Sequence, residues 1–282
     1  MSIRPLISCL LVALCACGNA VTGEPGGEPE PIVNDDETGD EPGPGPTTPT
    51  QAEEPEPSSF PTEPLTFTLG QALELDSGTS AYWVVMPSTY DRTHNTPTQL
   101  YVYLHGCGGF SSGDVWAASN GGTEWIGMAP GGAEGDCWDD QARLADLVMD
   151  AIADLKTHFN IDAKRVHIGG YSSGGDLAYY TAFRHAGDFA GILCTNSIPA
   201  YSASGLNTGM AAAAWKLNIV HLSQTSDGVY AIADVRARFQ VLRDNGFPVL
   251  HIERPGTHYD SNTTAYRNEL VHPHLEDGWE AP

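Results

Sequence analysis

Residues 160–183 read NIDAKRVHIGGYSSGGDLAYYTAF, and the fold turns on how this stretch divides. Asn160–Arg165 has the polar chemistry of a turn, Val166–Gly169 reads as a short apolar strand, and Leu177–His185 reads as a helix. Between strand and helix lies Gly170-Tyr171-Ser172-Ser173-Gly174, followed by Gly175. This matches G-x-S-x-G in the strand–turn–helix setting that gives the motif meaning. A sharp strand-to-helix turn forces its serine into a strained conformation, so the flanking positions must lack a Cβ. The turn also exposes the Ser172 hydroxyl at the positive end of a helix. Ser172 is therefore the expected nucleophile; Ser173 lacks the flanking pattern.

Outward from this point, apolar runs alternate with amphipathic ones. Upstream, Thr66–Leu75 and Ala81–Met86 read as strands joined at Asp76-Ser77-Gly78, followed by strands at Gln99–Leu104 and Glu124–Ala129. Leu144, Leu147, Val148, Ala151, Ile152, Leu155 and Phe159 then recur at helical spacing, so one face of a long helix is apolar. Downstream, Phe189–Thr195, Asn218–Ser223 and Val249–Glu253 read as strands. Val229–Asn245 reads as a helix stopped by Gly246 and Pro248. Strands apolar along their length and separated by helices predict an α/β fold, with a mostly parallel sheet covered on both faces. In such sheets chemistry gathers beyond the carboxyl ends of the strands.

A serine needs a base, and the base needs an orienting acid. In an α/β-hydrolase arrangement the chain order is Ser, acid, His. The exit loop of Asn218–Ser223 carries Asp227, and the loop after the last strand carries His258, so these are the expected acid and base. Asp260 and Asp234 are fallback acids, while His251 falls inside a strand. The oxyanion needs backbone donors. The N–H of Ser173 and that of Cys107, in the His105-Gly106-Cys107-Gly108-Gly109 loop, fit that need. A Cys107–His105 nucleophile pair would leave the Ser172 turn unexplained. Tyr171, Trp138, Tyr201 and Tyr259 are candidates to line the substrate cleft. Residues 197–217 are small and polar, which predicts an open cleft without a large lid. There is no zinc-like C-x-x-C or H-E-x-x-H pattern and no calcium loop, so no metal site is expected.

The charge balance narrows the partners. The 282 residues carry 36 acidic and 13 basic side chains, a formal charge of −23. Ten of the 20 prolines and 11 of the acids fall in residues 18–62, which hold no Lys or Arg. Residues 63–282 keep 25 acids and 12 bases. No basic face can be assembled to neutralise phosphates, which argues against nucleic acid as a partner. No apolar run reaches 18 residues, so no conventional membrane span is expected. Residues 1–16 read as a secretory signal, with Arg4 before the apolar stretch Leu6–Ala16. Leu14-Cys15-Ala16-Cys17 resembles a bacterial lipobox, which implies lipid attachment at Cys17 and an exported protein held at the cell envelope. Residues 17–62 then read as an acidic, Pro-rich tether, and residues 63–282 as one catalytic domain, taken as a monomer.

YVYLHGCGG (101–109), GDCWDD (135–140) and residues 160–183 together resemble the secreted esterases of the polyhydroxybutyrate depolymerase, feruloyl esterase and acetylxylan esterase group. The resemblance spans most of residues 98–260. It implies a single-domain α/β-hydrolase with a Ser-Asp-His triad on Ser172, Asp227 and His258, no cofactor, and a carboxylic ester as substrate. It also implies a disulfide between Cys107 and Cys137, leaving Cys194 as a buried free thiol. Two positions depart from the pattern: Thr257 precedes His258, and Asp176 stands where a methionine is common. A peptidase on the same fold and a non-catalytic surface binding module are the competing expectations.

Overall fold

The computed structural model describes residues 59–260 apart from 120, 121 and 123. The chain divides into a unit of residues 1–47 and a second of residues 48–282, and all described residues belong to the second. The expected signal, the expected lipidation site at Cys17 and nearly all of the expected tether lie outside the described residues.

Among the described residues, eight strands form one sheet in the order β1-β2-β4-β3-β5-β6-β7-β8. In chain order they are β1 (Ala72–Asp76), β2 (Ala81–Val85), β3 (Thr98–Leu104), β4 (Ile126–Pro130), β5 (Ile161–Tyr171), β6 (Gly191–Thr195), β7 (Asn218–Gln224) and β8 (Val249–Arg254). β1 and β2 are antiparallel, as is β2 against β4; every other pairing is parallel. Among the described residues the α-helices are α1 (Ser111–Ala118), α2 (Gln141–His158), α3 (Ser173–Arg184), α4 (Ala203–Ala212) and α5 (Ile232–Asp244). The expected α/β architecture is thus present, and its central strands β3–β6 are buried along most of their length.

α2 buries the predicted stripe of Leu144, Val148, Ala151, Ile152 and Leu155 against the sheet. Full burial of each Leu or Ile side chain contributes about 1.5–3 kcal/mol. The Asp140 side chain caps its first turn by accepting from the Arg143 N–H.

Several boundaries differ from expectation, each for a local reason. β5 begins at Ile161, inside the expected turn. Thr98 pairs with Ile161 but Leu100 with Val166, so the turn-forming residues are absorbed as an irregularity in the strand. α5 starts at Ile232 because the Val229 and Tyr230 N–H groups both donate to Asp227 Oδ1 (2.7 and 2.9 Å) and are held out of the helix. Its C-terminal end follows the reading: Gly246 has φ 82° and the Phe247 N–H donates back to Leu242 O. β1 is shorter than expected, although Leu65 and Phe67 still pack on the core. Two helices had no sequence counterpart, α1 and α4.

Candidate active site

The elbow at Ser172 is built by close packing. Ser172 has φ 55° and ψ −128°, a region costing about 1–3 kcal/mol for a residue with a Cβ. Its N–H donates to Thr195 O on β6, and its carbonyl accepts from the Asp176 N–H of α3. A Cβ on Gly170 would sit 2.6 Å from Leu104 O of β3, and one on Gly174 would strike the Leu104 and His105 carbonyls. The motif glycines are therefore demanded by how tightly the turn seats against the end of β3.

Three chain segments meet at this turn. His258 Nε2 lies 3.0 Å from Ser172 Oγ, and His258 Nδ1 lies 2.8 Å from Asp227 Oδ2. Both His258 and the Asp227 side chain are buried, and the other Asp227 oxygen is held by the Val229 and Tyr230 N–H groups. The His258 backbone is fixed as well: its carbonyl accepts from the Tyr171 hydroxyl at 2.6 Å and from Asn196 Nδ2 at 3.0 Å. The Tyr171 ring stacks on the imidazole at 5.2 Å between centroids. Burial, with the Asp227 charge adding to it, pushes the Tyr171 phenol up to about 12, which keeps it a hydrogen-bond donor.

The loop after β3 closes the opposite side. Cys107 and Cys137 are joined by a disulfide, with Cα atoms 4.2 Å apart, which ties this loop to the one after β4. The Gly108 N–H donates to Asp136 O and the Gly135 N–H to Gly109 O, so the two loops are also laced by backbone bonds. Cys107 Sγ lies 3.3 Å from Ser173 Oγ, which brings both expected oxyanion residues beside the nucleophile turn. Cys194 is the free, buried cysteine of β6.

The remaining candidates separate by burial. Tyr259 is 80% exposed beside His258, and Tyr201 is 68% exposed. Phe110 and Val229 are exposed as well, on the Cys107 and Asp227 loops, whereas Tyr201 stands on the segment between β6 and α4. Trp138 does not join them. It is only 2% exposed, its indole N–H donates to His105 O, and its ring packs on His105, so it supports the loop from beneath and offers substrate no face. Tyr171 likewise braces His258. The fallback acids serve elsewhere: Asp260 accepts from the Thr257 N–H and hydroxyl, and Asp234 lies in the first turn of α5. His251 sits within β8 with Nε2 on Ser223 Oγ. Sequence reasoning missed Asn196 and Tyr230. Asn196 has φ 46° just past β6, and its Oδ1 accepts from the Gln224 N–H while its Nδ2 reaches His258. No short motif marks either residue.

A cavity of about 290 Å³ runs along α3, lined by Asp176, Tyr180, Phe183, Ile198, Tyr201 and neighbours on α4. Among the described residues no cluster of His, Cys, Asp or Glu is arranged to hold a metal ion.

This architecture is the α/β-hydrolase fold, with the Ser172 turn after β5 and the Asp227 and His258 loops after β7 and β8. No family model matches the sequence, and no curated protein does so either. Solved structures do match. A thermostable esterase superposes with a TM-score of 0.59 at 18% identity, covering 74% of this chain and 63% of its own; the chain thus spans under two thirds of that protein's length. A CE1 ferulic acid esterase from Anaeromyces mucronatus, in complex with ferulic acid, gives 0.57 at 14% identity, covering 79% of this chain and 97% of its own. Dipeptidyl peptidase 4 from Porphyromonas gingivalis gives 0.58 at 16% identity, over 74% of this chain and 35% of its own. At these identities the likeness establishes the fold.

Proposed function

We propose that the protein is a serine hydrolase of carboxylic esters. The observation that carries this is the continuous Ser172–His258–Asp227 relay at 3.0 and 2.8 Å, mounted on a strained elbow. Ser172 Oγ attacks the ester carbonyl while His258 Nε2 takes its proton. Asp227 holds the Nδ1 tautomer and stabilises the imidazolium. The Cys107 and Ser173 N–H groups donate to the developing oxyanion. His258 then protonates the leaving alcohol, and water enters by the same relay to free the acyl group and restore Ser172.

Polymer-linked esters, such as feruloyl or acetyl groups on polysaccharide, suit this site best. The rim of Phe110, Tyr201, Val229 and Tyr259 is exposed, and α4 buries only Leu206 and Gly209, which makes it a small cover for the cleft. An esterase complex with ferulic acid on the same fold supports the choice. A polyester of the polyhydroxybutyrate kind is the second reading, favoured by the same apolar rim. The Cys17 lipobox and the acidic tether place the enzyme at the cell envelope in this proposal, and replacing Cys17 by Ala should release it from membranes.

The direct experiment compares wild type with Ser172→Ala on short p-nitrophenyl esters. A fall in kcat of about 10⁴–10⁶ is expected. Undiminished turnover would end the proposal. Peptide amides assayed alongside separate esterase from peptidase, because the esterase reading requires the esters to turn over and the amides not to.

A further inference from the structure

Asp176 is the buried carboxylate that the relay does not use. It lies one turn of α3 beyond Ser172, is 4% exposed, and donates its N–H to the Ser172 carbonyl. Its Oδ1 accepts from the Ile198 N–H at 2.9 Å. Its Oδ2 accepts from the Tyr230 hydroxyl at 2.5 Å and from the Tyr201 hydroxyl. Burying a carboxylate among apolar residues is expensive, and three donors offset only part of that cost here. Burial pushes its carboxyl up to about 6, with the donors and the neighbouring His258 pulling the other way.

Tyr230 connects this group to the relay. Its N–H donates to Asp227 Oδ1 at 2.9 Å, its hydroxyl donates to Asp176, and its ring lies 5.7 Å from the His258 imidazole. The Tyr201 ring stacks on it at 6.3 Å. The contacts form a closed circuit: Ser172, His258, Asp227, Tyr230, Asp176, and back to Ser172 through the first turn of α3. A tyrosine shared by two carboxylates, one through its backbone and one through its side chain, fixes where the acid-bearing turn sits. It also brings a second negative charge within range of the histidine that must become positive.

We propose that Asp176 is a positioning residue for the His258–Asp227 pair, acting through Tyr230 and supporting the imidazolium electrostatically; this rests on the serine-hydrolase reading above. The groups facing Asp176 fit such a role. From α3 and β6 come Tyr179 and Cys194, which burial keeps protonated. From the loop before α5 comes Tyr230, and from the segment before α4 comes Tyr201, with Asp139 acting on the latter and Arg238 holding the Ala200 and Tyr201 carbonyls. His258 is the cation-forming group whose charge acts on Asp176 itself. A carboxylate that merely fastened the Ile198–Ser202 segment would leave the histidine's proton untouched.

The test uses Asp176→Asn, which keeps shape and removes charge, and Tyr230→Phe, which keeps the charge and removes the link. Circular dichroism melts establish that each variant is folded. Two readouts follow: the low-field proton resonance of the His258–Asp227 bond against pH, and kcat and KM for p-nitrophenyl acetate against pH. In Asp176→Asn the resonance should change at a pH lower by about 0.5–1 unit. Plateau kcat should fall about five- to tenfold, with KM within twofold. Tyr230→Phe should move both in the same direction by less. A folded Asp176→Asn with the wild-type resonance profile and kcat overturns the inference. If Asp176→Asn does not fold, an unchanged resonance in Tyr230→Phe overturns it instead. A wild type that ignores esters while the resonance still shifts in Asp176→Asn leaves the positioning role standing and removes the esterase reading.

Discussion

A hydroxyl, an imidazole and a carboxylate meet here only because their neighbours leave them little freedom. Gly106 illustrates how little: a Cβ there would meet the Tyr171 ring at 2.6 Å, and that ring stacks on His258. Gly106→Ala should therefore push Tyr171 against the imidazole and lower kcat about 10- to 100-fold in ester assays while the fold persists. At this scale the sequence was most informative about Ser172, Asp227 and His258, because an elbow and two strand-exit loops mark them by local order alone. It was silent on Asn196 and Tyr230, whose partners lie 62 and 54 residues away and are brought near only by the finished sheet. Asp176 was visible merely as a residue out of pattern. Trp138 was misjudged as a cleft aromatic because its loop gives no periodicity from which burial could be read.

Among the elements, the strands were easier to read than the short helices. Residues 100–104 of β3, 166–170 of β5 and 191–194 of β6 are mostly apolar because both faces are covered, and that composition is explicit in the chain. α1 spans eight residues with Gly113 inside it, and α4 buries only two of ten residues, so neither shows an apolar stripe. The loops that follow β3 and β4 carry the element-scale prediction. The Cys107–Cys137 bond closes a separation of 30 residues beside the nucleophile turn. Replacing both cysteines by serine should lower unfolding free energy by about 3–4 kcal/mol, read as a lower denaturant midpoint. Because the same bond holds the expected oxyanion loop, kcat should drop as well, by about tenfold, in native buffer. A variant of full activity would mean that the backbone bonds between the loops suffice.

Buried titrating groups set how the whole molecule responds to pH. Burial holds His167 down at about 3, His251 at about 4, and His221 well below its ordinary value. Each is neutral when folded, so its contribution is present above about 6.5 and is lost as pH falls toward the folded value. Asp176 runs the other way: its raised carboxyl contributes stability below about 4 that is lost as pH rises through 6. Three histidines outweigh one carboxyl, so the melting temperature should fall between pH 7 and pH 4. Asp176→Asn, lacking the opposing gain, should lose more over that range; thermal melts at both ends check this. The same whole-molecule folding unites Ser172, Asp227 and His258 from three distant stretches, and covalent labelling tests that union most directly. Incubation with a fluorophosphonate followed by peptide mass mapping should show stoichiometric adduct on Ser172 in wild type, and almost none in His258→Ala. An unlabelled Ser172 in a folded wild type, or equal labelling in the histidine variant, would contradict the account.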